Sequence, residues 1–256
     1  MPGIGLMRMS LLRACVPAFS QTALPMHTTR VAVTQIARQT RSYASKPEDL
    51  ERAILTDFGV VSNFVPVPRS QRPSILTKLG FKYAVKKWRT SWATTLGIAT
   101  LKSKLGSFTT AGFLDEAVSI YEIMNEAFAS GDRKLIQHVC VPVMASKLKS
   151  DIKKRTYTME WQSHGQVEDP RVVSVVAGRL AEDIILAQAT VRLHTKQSMT
   201  VYNKQRKVVS SNKDKPISVL EYVVYQRIIS SFDKSHWQIY GKMQETTVDD
   251  FARRFA

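Results

Sequence analysis

The chain carries 37 Lys and Arg against 21 Asp and Glu over 256 residues, a formal net charge of +16 and a pI of about 10.0. That balance favours a polyanionic partner, nucleic acid or an anionic membrane surface. A hydrophobic share of 44% supports one packed core and excludes disorder throughout, while only two cysteines, Cys15 and Cys140, exclude a disulfide scaffold and a cysteine-based zinc cage.

The first 47 residues hold no acid, yet Arg8, Arg13, Arg30, Arg38 and Arg41 are scattered among Ser, Thr, Ala and Leu. This is the composition of an organellar transit peptide. Arg41, Ser42, Tyr43 and Ala44 fit the site at which mitochondrial presequences are cut, so the expected organisation is a presequence over 1–43 and a mature chain after it. Removing five arginines and no acid from +16 leaves +11.

Residues 44–112 read as a basic, partly extended segment with a short amphipathic helix. Between Asp57 and Asp115 there is no acid, against Arg69, Arg72, Lys78, Lys82, Lys86, Lys87, Arg89, Lys102 and Lys104. Pro66, Pro68 and Pro73 make 62–74 an extended linker, because proline fixes φ and disfavours helix in the residue before it. Around Lys86, the cations alternate with Tyr83, Trp88 and Trp92, aromatics that can stack on bases or sit at a lipid interface. The uncharged stretch from Thr90 to Leu101 is too short and too polar to span a bilayer.

A helix is expected from Phe113, with Leu114, Ala117, Tyr121, Met124 and Phe128 on one stripe, Asp115 and Glu116 in the first turn and Gly131 as the stop. Shorter helices follow over Lys134–Val139 and after Pro142. Beyond Thr156 the period becomes two. Strands are expected over 156–167 and 171–177, around Glu168, Asp169 and Pro170, then over 185–196, from Met199, over 220–225 and over 237–243. In the third of these, Ile185, Ala187, Ala189, Val191 and Leu193 form the core face, and Gln188, Thr190, Arg192, His194 and Lys196 the wet one. Residues 204–216 read as a polar turn, and 248–256 as a tail after a domain over 113–247. Helices followed by antiparallel strands give an α+β fold, with the helices packed on one face of a curved sheet.

No catalytic or metal-binding constellation rises above background, and no cofactor or small-molecule substrate is expected. His27, His138, His164, His194 and His236 lack metal-ligand spacing. Asp132 with His138, or His194 with Glu221, are the conceivable acid/base pairs, which sequence separation cannot test. Lys196, Lys204, Arg206, Lys207, Lys213 and Lys215 form a second cationic cluster, a candidate clamp for backbone phosphates with no base specificity.

The runs Ala189-Thr190-Val191-Arg192-Leu193-His194-Thr195-Lys196-Gln197, Val201-Tyr202, Val219-Leu220-Glu221-Tyr222-Val223-Val224-Tyr225 and Trp237-Gln238-Ile239-Tyr240-Gly241-Lys242, with Pro170-Arg171-Val172-Val173 after Trp161, resemble one family. It is that of mitochondrial large-ribosomal-subunit protein forty-five and the inner-membrane mitoribosome receptor. The resemblance covers 113–244. It implies a domain shared with the import-motor anchor of the inner-membrane translocase, with a fold similar to nuclear transport factor 2. It also implies a non-enzymatic role at the ribosomal polypeptide exit, with ribosomal RNA, the inner membrane surface and the insertase as partners and a peripheral matrix location. Two rivals stand beside it. One is an import-motor anchor. The other is an enzyme working inside the cone of the domain, which apposed His and Asp would favour and a filling of Tyr222, Trp237 and Phe128 would oppose.

Overall fold

A computed structural model describes residues 58–68, 71–230 and 235–255. The presequence, with its cleavage residues Arg41, Ser42, Tyr43 and Ala44, lies outside them, as does Arg69. The described elements run α1 (Lys78–Leu105), α2 (Thr110–Ser130), α3 (Arg133–Val139), α4 (Pro142–Lys154), β1 (Thr158–Ala181), β2 (Ile184–Tyr202), β3 (Val208–Ser211), β4 (Ile217–Ser230), β5 (Gln238–Met243) and α5 (Val248–Phe255). The antiparallel sheet has the order β1-β2-β4-β5, and β3 pairs with β2. The α+β expectation of helices followed by a curved antiparallel sheet is met.

The helix α2 begins three residues before the expected Phe113. Thr109 caps it, its hydroxyl accepting from Gly112 N at 3.1 Å, so Asp115 and Glu116 lie beyond the first turn. A hydroxyl cap satisfies the free amide that an acid was expected to favour by charge. The stop is as expected: Gly131 has φ +85°, a left-handed position that glycine adopts without strain, and its amide reaches Ala127 O. Asp132 then caps α3, its Oδ1 accepting from Lys134 N and Leu135 N.

Two pairs of expected strands fuse. The segments on either side of Pro170 are one strand, β1, whose register slips between Ser163 and Gln166, Gln166 and Glu168, and Glu168 and Arg171. Because β1 is an edge strand in the order above, Pro170 removes no ladder bond that the sheet requires. Likewise 185–196 and the strand from Met199 are one, β2. The expected turn over 204–216 contains β3.

On β2 the core face is as expected, with Ala187, Ala189, Val191 and Leu193 fully buried under α2. Phe113 packs on Trp237, with ring centroids 4.6 Å apart, and Tyr225 donates its hydroxyl to Ala117 O at 2.6 Å. The opposite face departs from expectation. Gln188 and Thr190 are buried, not wet, because the segment 58–68 lies across them. Val61 N donates to Gln188 Oε1 at 2.9 Å, and Gln188 Nε2 donates to Gly59 O at 2.8 Å. Further along, Val65 and Thr246 exchange two bonds, and Val67 N donates to the Tyr83 hydroxyl at 3.0 Å. Phe64, Tyr83 and Phe251 close this second core edge to face, their ring centroids 5.3–6.0 Å apart. The proline-rich linker is therefore a strap, and the expected tail is the helix α5 that anchors it through Phe251.

Candidate polyanion-contact surfaces

The short helix expected near Lys86 is α1, 28 residues long, which at 1.5 Å per residue is about 42 Å. Thr77 caps it, accepting from Gly80 N. Its inner face carries Gly80, Tyr83, Gly97 and Leu101, all buried. Phe81, Trp88, Trp92 and Leu96 recur at steps of seven, four and four, so at 3.6 residues per turn they fall within about 80° of one another on the opposite side. All four are 55–62% exposed, and Trp88 and Trp92 meet edge to face with centroids 5.8 Å apart. Lys78, Lys82 and Arg89 on one side and Lys102 on the other flank the stripe, Lys86, Lys87 and Lys104 lie further round towards the inner side, and the helix holds no acid. Among the described residues no helix is long and apolar enough to cross a membrane.

Tyr83, expected to stack on bases or lipid with Trp88 and Trp92, is corrected: it is buried between Phe64 and Phe251. Five residues, about 1.4 turns, separate the inward Tyr83 from the outward Trp88, and packing decides which of the two faces in. Arg72 is half-buried and directs Nε at Val67 O at 3.2 Å, which ties it to the strap.

The second cationic cluster is divided by β3. Lys204, Arg206 and Lys207 occupy the tip turn after β2, where Asn203 Oδ1 accepts from Gln205 N and Lys207 N. Arg206 has φ +59°, which the turn requires. Lys213 and Lys215 lie in a second turn between β3 and β4, where Met199 N donates to Asn212 Oδ1. The four residues of β3 separate the turns by about 13 Å. All five side chains, and Lys196 on β2, are exposed.

The conceivable acid/base pairs do not form. Asp132 caps α3, while His138 stacks on His236 with centroids 4.4 Å apart. His194 and Glu221 lie on opposite faces of the sheet, since Glu221 pairs with Leu193 and His194 with Leu220. Glu221 points into the core face instead, where its Oε2 accepts from the Tyr121 hydroxyl at 2.7 Å and both oxygens accept from Lys242 Nζ at 2.8–2.9 Å. Gln197 Nε2 donates to the same hydroxyl at 2.6 Å, and Trp161 Nε1 to Gln197 Oε1 at 2.9 Å. Burial, and then the Glu221 carboxylate, push the Tyr121 phenol far above its usual range. The interior holds Tyr121, Phe113, Tyr225 and Trp237. Of the side chains named for the enzyme rival, Trp237 is fully buried here, Tyr222 faces the strap, and Phe128 lies half-buried under Arg155. Burial lifts the Cys140 thiol to about 12, as suits a small core residue.

On the other face, at the end the strap leaves open, Glu168 Oε2 accepts from Arg192 Nη1 at 2.6 Å, and Oε1 lies 3.1 Å from His194 Nδ1. The Arg192 bond and then the His194 bond hold the Glu168 carboxyl down at about 2. Sequence reasoning placed Arg192 and His194 on a wet face but missed their partner, because three register slips separate Glu168 from any simple pairing rule.

A family model described as a Tim44-like domain matches residues 94–244. The large ribosomal subunit protein mL45 of Xenopus tropicalis is 29% identical over 204 residues, covering 77% of this chain and 63% of that protein. The mL45 of Bos taurus is 26% identical over 226 residues, covering 86% and 71%, and that of Drosophila melanogaster 25% over 190 residues, covering 72% and 51%. The chain thus spans less than two thirds of the frog relative's length. Among solved structures, the intermembrane space region of chloroplast protein ARC6 aligns with a TM-score of 0.32 and 13% identity, over 53% of this chain and 95% of that one, a likeness too weak to inform fold or function.

Proposed function

Since the chain belongs to the Tim44-like domain family, we propose that it is a non-enzymatic protein of the mitochondrial large ribosomal subunit, seated near the polypeptide exit. There it binds ribosomal RNA and holds the ribosome against the inner membrane, beside the insertase, for cotranslational insertion. The similarity to several mL45 proteins supports the ribosomal part, and the acid-free, arginine-bearing first 47 residues support the mitochondrial address.

The observation that carries the membrane part is the two-faced α1. Its inner side docks on the domain while Phe81, Trp88, Trp92 and Leu96 are presented outward between cations. Such a helix lies in the plane of an anionic bilayer, with its aromatics at the acyl boundary and its lysine stems reaching the headgroups. Lys204, Arg206, Lys207, Lys213, Lys215 and Lys196 then serve ribosomal RNA phosphates, from two turns and a strand.

The test combines sedimentation and flotation of the full chain. Tagged protein is expected to travel with large subunits; retention in high salt means a built-in subunit, and release means a receptor. Trp88→Ser with Trp92→Ser is expected to abolish flotation with cardiolipin-containing vesicles while leaving cosedimentation intact. No cosedimentation at low salt overturns the ribosomal part, and unchanged flotation overturns the membrane part. Recovery with a seventy-kilodalton matrix chaperone in place of ribosomal subunits selects the import-motor anchor, the rival reading.

A further inference from the structure

The open end of the sheet holds more cationic donors than acids to answer them. Arg171 stands directly across from Arg192, and Glu168 across from His194. Two residues further along β2, the exposed Lys196 pairs with Ser218 of β4. One carboxylate bridges the group: Glu168 reaches Arg192 at 2.6 Å through one oxygen and His194 at 3.1 Å through the other. His194 Nε2 lies 2.6 Å from Ser218 Oγ, which fixes the ring. Two further acids stand near: Asp169, exposed in the bulge that follows Glu168, and Glu245, which accepts from the Tyr222 hydroxyl.

Two oxygens of one anion, held between an arginine and a histidine, are the arrangement a phosphate would adopt there. The hold on Glu168 is weak. Its side chain is 42% exposed, and exposed ion pairs are among the weakest of protein interactions. The register of β1 slips on both sides of it, so this stretch can shift without breaking a regular ladder. Arg192, His194 and Lys196 repeat about every 7 Å along one strand face, a linear array suited to a linear polyanion. The apolar requirement of a lipid surface is met elsewhere, on α1.

We infer that Glu168 is an internal stand-in for a phosphodiester: an RNA backbone displaces it and docks on Arg192, His194 and Ser218, with Arg171 and Lys196 alongside. This deepens, and rests on, the RNA-binding part of the proposed function. Binding is then set by competition between a tethered carboxylate and a phosphate that releases counterions as it arrives.

The experiment is fluorescence anisotropy of a labelled single-stranded RNA oligonucleotide with the full chain, over a KCl series. Glu168→Gln, which keeps the shape and removes the charge, is expected to bind about threefold or more tightly, with a salt dependence steeper by about one unit of log–log slope. Arg192→Gln combined with Glu168→Gln is expected to abolish that gain, and Arg192→Gln alone to bind no more tightly than the wild type. Equal or weaker binding by Glu168→Gln, at an unchanged thermal midpoint, overturns the inference. Should the variant fail to fold, the wild-type His194 imidazole signals decide: they move on adding RNA if the inference holds, and stay fixed if it does not. A gain on anionic vesicles without a gain on RNA also overturns it. Cosedimentation with ribosomes reads the proposed function separately, so a Glu168→Gln gain on RNA without cosedimentation leaves the phosphate site standing and removes the ribosomal role.

Discussion

A β-carbon on Gly97 would stand 2.6 Å from the carbonyl oxygen of Val175. The same residue's amide donates to Thr94 Oγ1 at 3.2 Å, so α1 meets the outer backbone groups of the edge strand β1 directly. A glycine lets the helix approach that closely, and the threonine one turn earlier satisfies the donor that an edge strand leaves open. Because the obstacle to a larger residue is backbone, it cannot swing aside. Gly97→Ala is therefore expected to destabilise by about 1–3 kcal/mol despite alanine's better helix propensity. Thermal melting reads the change, and an unchanged or raised midpoint would show that α1 is free to back away.

The core-face ion pair between Lys242 and Glu221 is mostly shielded, with side-chain exposures of 19% and 11%. Removing Lys242 leaves the largely buried Glu221 carboxylate with the neutral Tyr121 hydroxyl and no cation. Lys242→Met is expected to cost about 3 kcal/mol, and adding Glu221→Leu to recover most of it. Urea unfolding of the single and double variants gives the coupling directly. Additive losses would mean that the pair is not coupled.

Glu168 supplies a pH signature. Its folded value of about 2 lies below its value in an unfolded chain, so the paired, ionised state favours folding above the unfolded value. That contribution is lost as pH falls from about 4.5 through about 2. Carbon-detected NMR of the side-chain carboxyl is expected to show a midpoint near 2 in the wild type. In Arg192→Gln, which removes the larger cause, the midpoint should rise. A Glu168 midpoint in the ordinary glutamate range would show that the bridge does not form in solution.

Phe251 is 1% exposed and holds the strap through Phe64 and Tyr83. Phe251→Ala is expected to cost about 3–5 kcal/mol and to raise amide exchange at Val65 and Val67, whose bonds to Thr246 and Tyr83 depend on that core. Tyr83→Phe removes the hydroxyl that accepts from Val67 N and meets the Arg72 guanidinium, and should cost about 1–2 kcal/mol. Exchange rates that match the wild type in Phe251→Ala would place the anchor elsewhere.

Amino-acid order alone determined what depends on short range: the stop of α2 at Gly131, the span of α3 to within a residue, the period of two beyond Thr156, the core face of β2, and a cationic segment free of acids from 58 to 114. Each is a property of neighbours within a few residues. Tertiary structure decided the rest. The outward alternation of Gln188 and Thr190 reads as wet until the strap, about 130 positions earlier in the chain, lies across it. Tyr83 and Trp88 look alike in sequence, and the second core buries one while solvent keeps the other. One run of cations becomes two turns when β3 pairs between them, and Glu168 finds Arg192 only through a slipped register. Which side of an element meets water depends on what arrives from far along the chain, and local pattern carries no record of that.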